Sequence, residues 1–439
     1  MTFIAIGLSI LLLVLLIVKI KIEPFLAFLI VSLFAGILLG IPLEEVMGAI
    51  QTGIGDLLGS LVMVIVLGAM LGKIVAESGA AQRIATFLLN SFGKTHIHWA
   101  IGLTAFVVGI TLFFSVGFVL LVPLVFTIAH QYKIPTMLVG VPMLAALSVT
   151  HGLLPPHPAP VALVVQFDAN MGVTLLYGLL ISIPVIIVSG PLIAKTRWIK
   201  NISSQPIAAF RGENKPAQNL PSLANSLLSA LLPVFLLIAT SFLLMQFKEE
   251  HPAYPILVLI GDPSAVMLFS LVFATFSLGV LHGKAMGDIM REYGLAVKEI
   301  ALVLLIIAGA GAFKEVLVSS GVSADLANTM QTWPIDPLIL GWLIAALIRV
   351  SIGSATVAAL TAAGMVAPLV VTGSVNPNLM VLSIGAGSLI FSHFNDGGFW
   401  LVKEYFNLSI RQTLLSWSLI ETIASILGLL GVLALRFIV

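Results

Sequence analysis

The sequence predicts an all-α, polytopic membrane protein built from two inverted-topology repeats with re-entrant hairpins and broken helices. Three observations carry that expectation. Hydrophobic residues make up 59% of the 439 positions and charged residues only 9%, where a soluble chain carries roughly a quarter. Apolar runs approaching the ~20 residues that cross the hydrocarbon core recur along the whole length. They are continuous rather than alternating, which excludes a β-barrel. Finally, each half holds one apolar run interrupted at membrane depth: His151-Gly-Leu-Leu-Pro-Pro-His157-Pro-Ala-Pro160 in the first and His393-Phe-Asn395-Asp396-Gly-Gly398 in the second.

In order along the chain, residues 3–18 and 25–41 are two spans. The first lacks a basic leader and a small-residue cleavage site, so it is expected to be retained rather than removed as a signal peptide. A glycine-rich span at 53–72 precedes a polar helix at 80–92. The tract 99–129 is interrupted at Ser115-Val-Gly117 and Pro123, the proline-broken segment occupies 137–165, and 173–194 closes the first repeat (1–194). Residues 195–222 form a polar linker, with Lys195, Arg197, Lys200, Arg211 and Lys215 against Glu213. The second repeat (223–439) runs through spans at 223–246, 265–281 and 300–313, a polar helix at 322–332 and a tract at 338–371. The broken segment at 379–394 and a last span at 413–435 complete it.

Charge in the connections sets the orientation, because Lys and Arg concentrate in cytoplasmic loops. Lys19, Lys21, Lys73, Arg83, Lys94, Lys133 and the linker place those connections inside, whereas Glu44, Glu45 and Asp168 mark outward ones. The second half reverses the signs. Lys284, Arg291 and Lys298 stand where the first half has Glu44 and Glu45; Glu315, Asp325 and Asp336 stand where it is basic; Lys403 and Arg411 stand where it has Asp168. Both termini are therefore expected outside and the linker in the cytoplasm. Similar halves of opposite orientation are the architecture of many secondary transporters, which bind their solute at discontinuous helices near the midplane. Each limb of the tracts 99–129 and 338–371 is too short for a full crossing, so both are expected to fold back as hairpins, turning near Gly117 and Gly353.

Proline removes a backbone donor and clashes with the preceding turn, so Pro155, Pro156 and Pro158 must unwind the first broken segment, as Gly397 does the second. Backbone freed in this way is tolerated only against protein or a water-filled cavity. Ionisable groups inside the spans are then candidates for function. A guanidinium fork recognises carboxylates, which singles out Arg349, followed by Ser354 and Thr356; Lys314 ends an apolar span. Half-helix N-termini favour an anion, and Thr150, His151, Ser148, Ser115 and Asn395 supply polar groups for the hydroxyls of a solute. His157 and Asp396, one at each break and 239 positions apart, suit proton coupling, since imidazole and a desolvated carboxyl both change charge near neutral pH. Glu421, inside the last span, reads as scaffold.

Several segments resemble the gluconate:proton symporter family. They are Leu67-Gly-Ala-Met-Leu-Gly-Lys73, Ser78-Gly-Ala-Ala-Gln-Arg-Ile-Ala85, the run from Ala145 to Pro158, Gly311-Ala-Phe-Lys-Glu-Val-Leu-Val318, Gly353-Ser-Ala-Thr-Val-Ala-Ala359, Phe391-Ser-His-Phe-Asn-Asp-Gly-Gly-Phe-Trp400 and Lys403-Glu-Tyr-Phe-Asn-Leu408. The resemblance covers essentially the whole chain. It implies an inner-membrane, proton-driven carrier of gluconate or a related sugar acid, within a wider group of ion-coupled carboxylate transporters. The chain departs from the family pattern at Ser115, where an acid is common, and at Gly397, where proline is common; Ala159 and Val161 also differ. Because the family includes carriers for D-serine, a small hydroxylated carboxylate of that kind is the alternative substrate.

Other classes find little support. The chain has no cysteine and no HExxH or GxSxG motif, so an enzyme is not expected. No metal or cofactor is expected beyond the coupling proton, and a net charge of +1 gives no reason to expect nucleic acid. A passive channel fits paired breaks less well than a carrier does. The expected partners are an anionic solute and the lipid bilayer, with a second copy of the chain also compatible with the sequence.

Overall fold

The structure is a computed structural model, which describes residues 2–202, 220–247, 250–321, 334–393 and 396–439. The polar helix expected at 322–332, most of the linker, and Asn395 lie outside the described residues. Among the described residues every element is helical, and eight helices are long and apolar enough to cross a membrane.

The first half contains α1 (Thr2–Val14), α2 (Pro24–Leu38), α3 (Leu43–Glu77), α4 (Ala80–Phe92), α5 (Ile97–Gly109), α6 (Phe114–Tyr132), α7 (Thr136–Leu153), α8 (Pro158–Gln166), α9 (Met171–Ile187) and the short α10 (Arg197–Lys200). The second contains α11 (Leu223–Gln246), α12 (Tyr254–Gly261), α13 (Pro263–Ala274), α14 (Met286–Ser319), α15 (Pro337–Ile352), α16 (Ala355–Val371), α17 (Pro377–Gly387), α18 (Gly397–Tyr405), α19 (Ile410–Thr413) and α20 (Leu419–Leu435). One local signal starts four of these helices. Glu23-Pro24, Asp262-Pro263, Asp336-Pro337 and Asn376-Pro377 each pair a side-chain cap with a proline in the first turn. The cap satisfies an orphan amide, and proline gives up an N–H that had no partner there.

The third span of each half is longer than its apolar stretch. The 35 residues of α3 and the 34 of α14 reach about 50 Å at ~1.5 Å per residue, well beyond a ~30 Å hydrocarbon core. Lys73, Arg291, Lys298 and Glu315, expected in connections, therefore sit on helix ends. Polar helix ends and loops carry the same residues, which is why composition did not separate them. The short α12 was likewise not anticipated. The two long helices run antiparallel, as the contact of Gly53 with Gly311 and the ion pair of Lys73 with Glu299 require. An added Cβ on either glycine would strike the other's carbonyl, so the backbones touch directly.

The tracts 99–129 and 338–371 each fold into two helices, α5–α6 and α15–α16; α6, with 19 residues, is long and apolar enough to cross a membrane, so that limb is not too short as expected. The second turns at Gly353, as expected, with the left-handed φ of 86° that glycine adopts without a steric penalty. The first turns at residues 110–113, and Gly117 is not a break: it lies inside α6. There the missing side chain makes room for Leu147, whose Cδ2 would lie 2.8 Å from an added Cβ. Both predicted breaks in the broken segments are present. α7 ends at Leu153, Pro155 and Pro156 lie in the unwound stretch, and Pro158 opens α8. α17 ends at Gly387, and Gly397 opens α18.

Hairpin and broken segment pack alike in the two halves. Gly102 and Gly109 of α5 meet Pro142 and Leu147 of α7, while Gly341 of α15 meets Met380 of α17, and Gly387 of α17 meets Ala345 of α15. Across the halves, an added Cβ on Gly385 would strike the carbonyl of Gly152, so the two broken segments touch just before they unwind. Asn378 ties the same elements further out, accepting from Asn170 N at 3.0 Å and Thr174 Oγ1 at 2.8 Å.

The glycine contact between the long helices gives a direct test. Gly311→Ala should lower the thermal-unfolding midpoint in detergent, at a cost of about 1–3 kcal/mol for overpacking. Gly48→Ala, on an open face of α3, should leave the midpoint unchanged or raise it slightly.

Candidate functional site

The unwound part of the second broken segment, the tip of the second hairpin and α7 enclose a cavity of about 380 Å³. This lies within the usual range for small-molecule sites. Its wall is built by Arg349, the stretch Gly353-Ser354-Ala355-Thr356, Asp396-Gly397-Gly398, Ser148 and His151, with Trp417 and Glu421 from the last span.

Arg349 is 3% exposed and reaches two places at once. Its Nη1 donates to the carbonyl of Gly353, and its Nη2 to Asp396 Oδ2 at 2.6 Å. The hairpin tip and the break are thereby clasped by one side chain. Asp396 is held from further sides. Its Oδ1 caps α18 by accepting from Gly398 N at 3.0 Å, and Ser392 Oγ donates to its Oδ2. Trp417 Nε1 donates to Ser392 Oγ at 2.6 Å, and Ser418 Oγ donates to the Ser392 carbonyl. His393 adds a second link from break to hairpin, its Nε2 donating to the Val350 carbonyl at 2.9 Å.

Two helices begin at the cavity wall. Ser354 caps α16 through Val357 N, and Ala355 and Thr356 supply the first free amides. Asp396 caps α18, whose first residues, Gly397 and Gly398, also line the space. Helix N-termini present unpaired N–H groups and a positive dipole end, so the wall favours negative charge at two points besides the guanidinium. Its apolar part includes Phe114 and Trp417, with ring centroids 5.2 Å apart. Trp417 sits on a π-helical turn, Leu414–Ser418, of the kind frequent at functional sites.

The first half has a counterpart clasp. His157 Nε2 donates to the carbonyl of Gly109 at 2.7 Å, tying the break at 154–157 to the end of α5. In the sequence, Gly109 precedes Arg349 by 240 positions and His157 precedes Asp396 by 239. Each half thus joins its hairpin to its own break, by an ion pair in one and by an imidazole in the other. His157 is buried and does not line the cavity; His151, which does, lies between, with ring centroids 5.2 Å apart.

The other residues singled out from the sequence divide clearly. Arg349, Ser354, Thr356, His151, Asp396, Gly353 and Gly397 line the cavity; Lys314, Thr150, Ser115, Pro155, Pro156 and Pro158 do not. Thr150 spends its hydroxyl on the Ala146 and Leu147 carbonyls. Ser115 is exposed on α6, although its neighbour Phe114 lines the wall. Lys314 is half-buried on α14. The wall residue that sequence reasoning undervalued is Glu421, 1% exposed and one helical turn beyond Trp417. Its signal was available: a carboxyl inside a membrane span is costly and marks function by default.

The family model described as GntP family permease matches residues 1–438. The chain is 46% identical over 440 residues to a high-affinity gluconate transporter of Escherichia coli (strain K12), covering 100% of both chains. It is 44% identical over 438 residues to the Gnt-II system L-idonate transporter of the same organism, covering 99% of each. With the gluconate permease of Bacillus subtilis (strain 168) it shares 42% over 450 residues, covering 100% of each. Among solved structures, the Alcanivorax borkumensis YdaH transporter shares the fold with a TM-score of 0.67 at 18% identity, covering 95% of this chain and 99% of that one. Neisseria gonorrhoeae MtrF does so with a TM-score of 0.67 at 14% identity, covering 95% and 96%. On the strength of a match along nearly its whole length, the chain is a multi-pass membrane protein and belongs to the GntP family of permeases.

Proposed function

We propose that the protein imports gluconate or a closely related sugar acid across the inner membrane by proton symport. The observation that carries this reading is the buried guanidinium of Arg349, set in a cavity wall with two helix N-termini. A small carboxylate is the solute such a wall accommodates, and the substrates named for the most similar relatives are sugar acids. Ser148, Ser354, Thr356 and Asn395 are assigned to its hydroxyls. Lys314, Thr150 and Ser115, which lie off the cavity, have a place at the solute only in a conformation other than this one.

The coupling follows from competition for one guanidinium. Ionised Asp396 occupies Nη2 of Arg349. Protonation removes that negative charge and leaves the guanidinium a site for the carboxylate of the solute, so proton and solute enter together. A solute shifts the molecule only by binding one of its states better, and the differential here is the Asp396 proton. His157, reached from the cavity through His151, is the second proton-coupling residue. Residues 1–194 and 223–439 are read as inverted repeats joined by a cytoplasmic linker at 195–222, with both termini outside. Supporting this are the antiparallel course of α3 and α14 and the matching hairpin-to-break packing.

Reconstituted protein should accumulate labelled gluconate under an inward proton gradient, and uptake indifferent to that gradient and to uncouplers would reject symport. In the same vesicles Asp396→Asn should lose gradient-driven accumulation entirely while keeping counterflow exchange. A variant that still concentrates gluconate would move the proton to His157. For the ion pair itself, Arg349→Ala should cost about 2–3 kcal/mol, below the range for a fully buried pair, by leaving the half-buried Asp396 carboxylate without its cation. The double variant Arg349→Ala/Asp396→Asn should recover part of that loss in thermal unfolding, and a purely additive result would argue against the pair.

A further inference from the structure

One wall group of the cavity has no role in the clasp. Glu421 enters from α20, is 1% exposed, and leaves Oε1 without a hydrogen-bond partner. Ser148 of α7 shares the wall with this carboxyl, and the charged groups facing it are Arg349 from α15 and Asp396 from the break. His151 of α7 shares the same wall. Arg349 directs Nη1 to Gly353 and Nη2 to Asp396, and it does not reach Glu421 Oε1. A buried polar atom is rarely left unpaired, because its lost hydration is not returned. The missing partner therefore has to come from whatever fills the cavity.

We propose that Glu421 is a specificity-determining residue that reads a hydroxyl of the solute while Arg349 takes the carboxylate. This rests on the sugar-acid reading of the cavity and deepens it. A carboxyl at that point accepts from a hydroxyl donor and offers nothing to a methylene, so it selects hydroxylated acids over aliphatic ones. A site that hydrogen-bonds a hydroxyl rejects an analogue lacking it far more strongly than an apolar pocket rejects a change of size.

The test measures competition against labelled gluconate on the purified full-length chain, using gluconate, its single-deoxy analogues and hexanoate as probes. In the wild type, loss of one particular hydroxyl should weaken binding about tenfold, as expected when a buried hydrogen-bond partner is left unsatisfied. Glu421→Leu should weaken gluconate by a similar factor and bind that same deoxy analogue no worse than gluconate, the coupling that a double-mutant cycle isolates. Glu421→Gln, nearly equal in volume, serves if the leucine variant does not fold; it should retain the hydroxyl preference with a smaller loss. Equal loss for gluconate and every deoxy analogue in either variant, or unchanged gluconate affinity, overturns the proposal. Wild-type binding with no dependence on any single hydroxyl overturns it without any variant. Wild-type protein that binds none of the probes overturns the sugar-acid reading itself, and this inference with it.

Discussion

A charge buried in a membrane protein must be matched, and the second half of this chain is arranged around how Arg349 is matched. Its guanidinium has two obligations, to the Gly353 carbonyl and to Asp396, and each recruits further structure. The carbonyl is accessible because Gly353 takes a left-handed turn there. The carboxylate is in place because it caps α18 and is held by Ser392, which is held in turn by Trp417 and Ser418. The last span makes those contacts from its π-helical turn. Buried ion pairs are weak contributors to net stability. Their value lies in specifying one arrangement, and here that arrangement is an open cavity between a hairpin tip and an unwound helix.

The first half meets the same mechanical requirement without charge. His157 joins the break to the carbonyl of Gly109, and Phe113 and His151 pack on its ring. Each half joins a hairpin to a break, but the side chains that make the joint differ. One junction is ionic and lines a cavity; the other is an imidazole buried away from it.

Much of this was legible in the sequence because the rules involved are local. Proline at 155, 156 and 158 must end a helix wherever it lies, and an arginine inside an apolar tract must find an anion or a carbonyl. What escaped were properties set by neighbours. A glycine in an apolar tract reads the same whether it turns the chain, as Gly353 does, or admits a side chain from another helix, as Gly117 does for Leu147. Lys314 of α14 is not part of the cavity wall, and no spacing within that helix says which face meets which partner. Glu421 belongs to a span that looks like scaffold until α7 and the break are packed against it. Asn395 falls outside the described residues.

The two long helices suggest what stays still. They touch backbone to backbone at Gly53 and Gly311, and toward the other end of α3 they are pinned by Lys73 and Glu299. The twenty residues between the two fixings of α3 span about 30 Å of rigid rod. Two contacts set that far apart along one rod brace the pair against rotation about either of them.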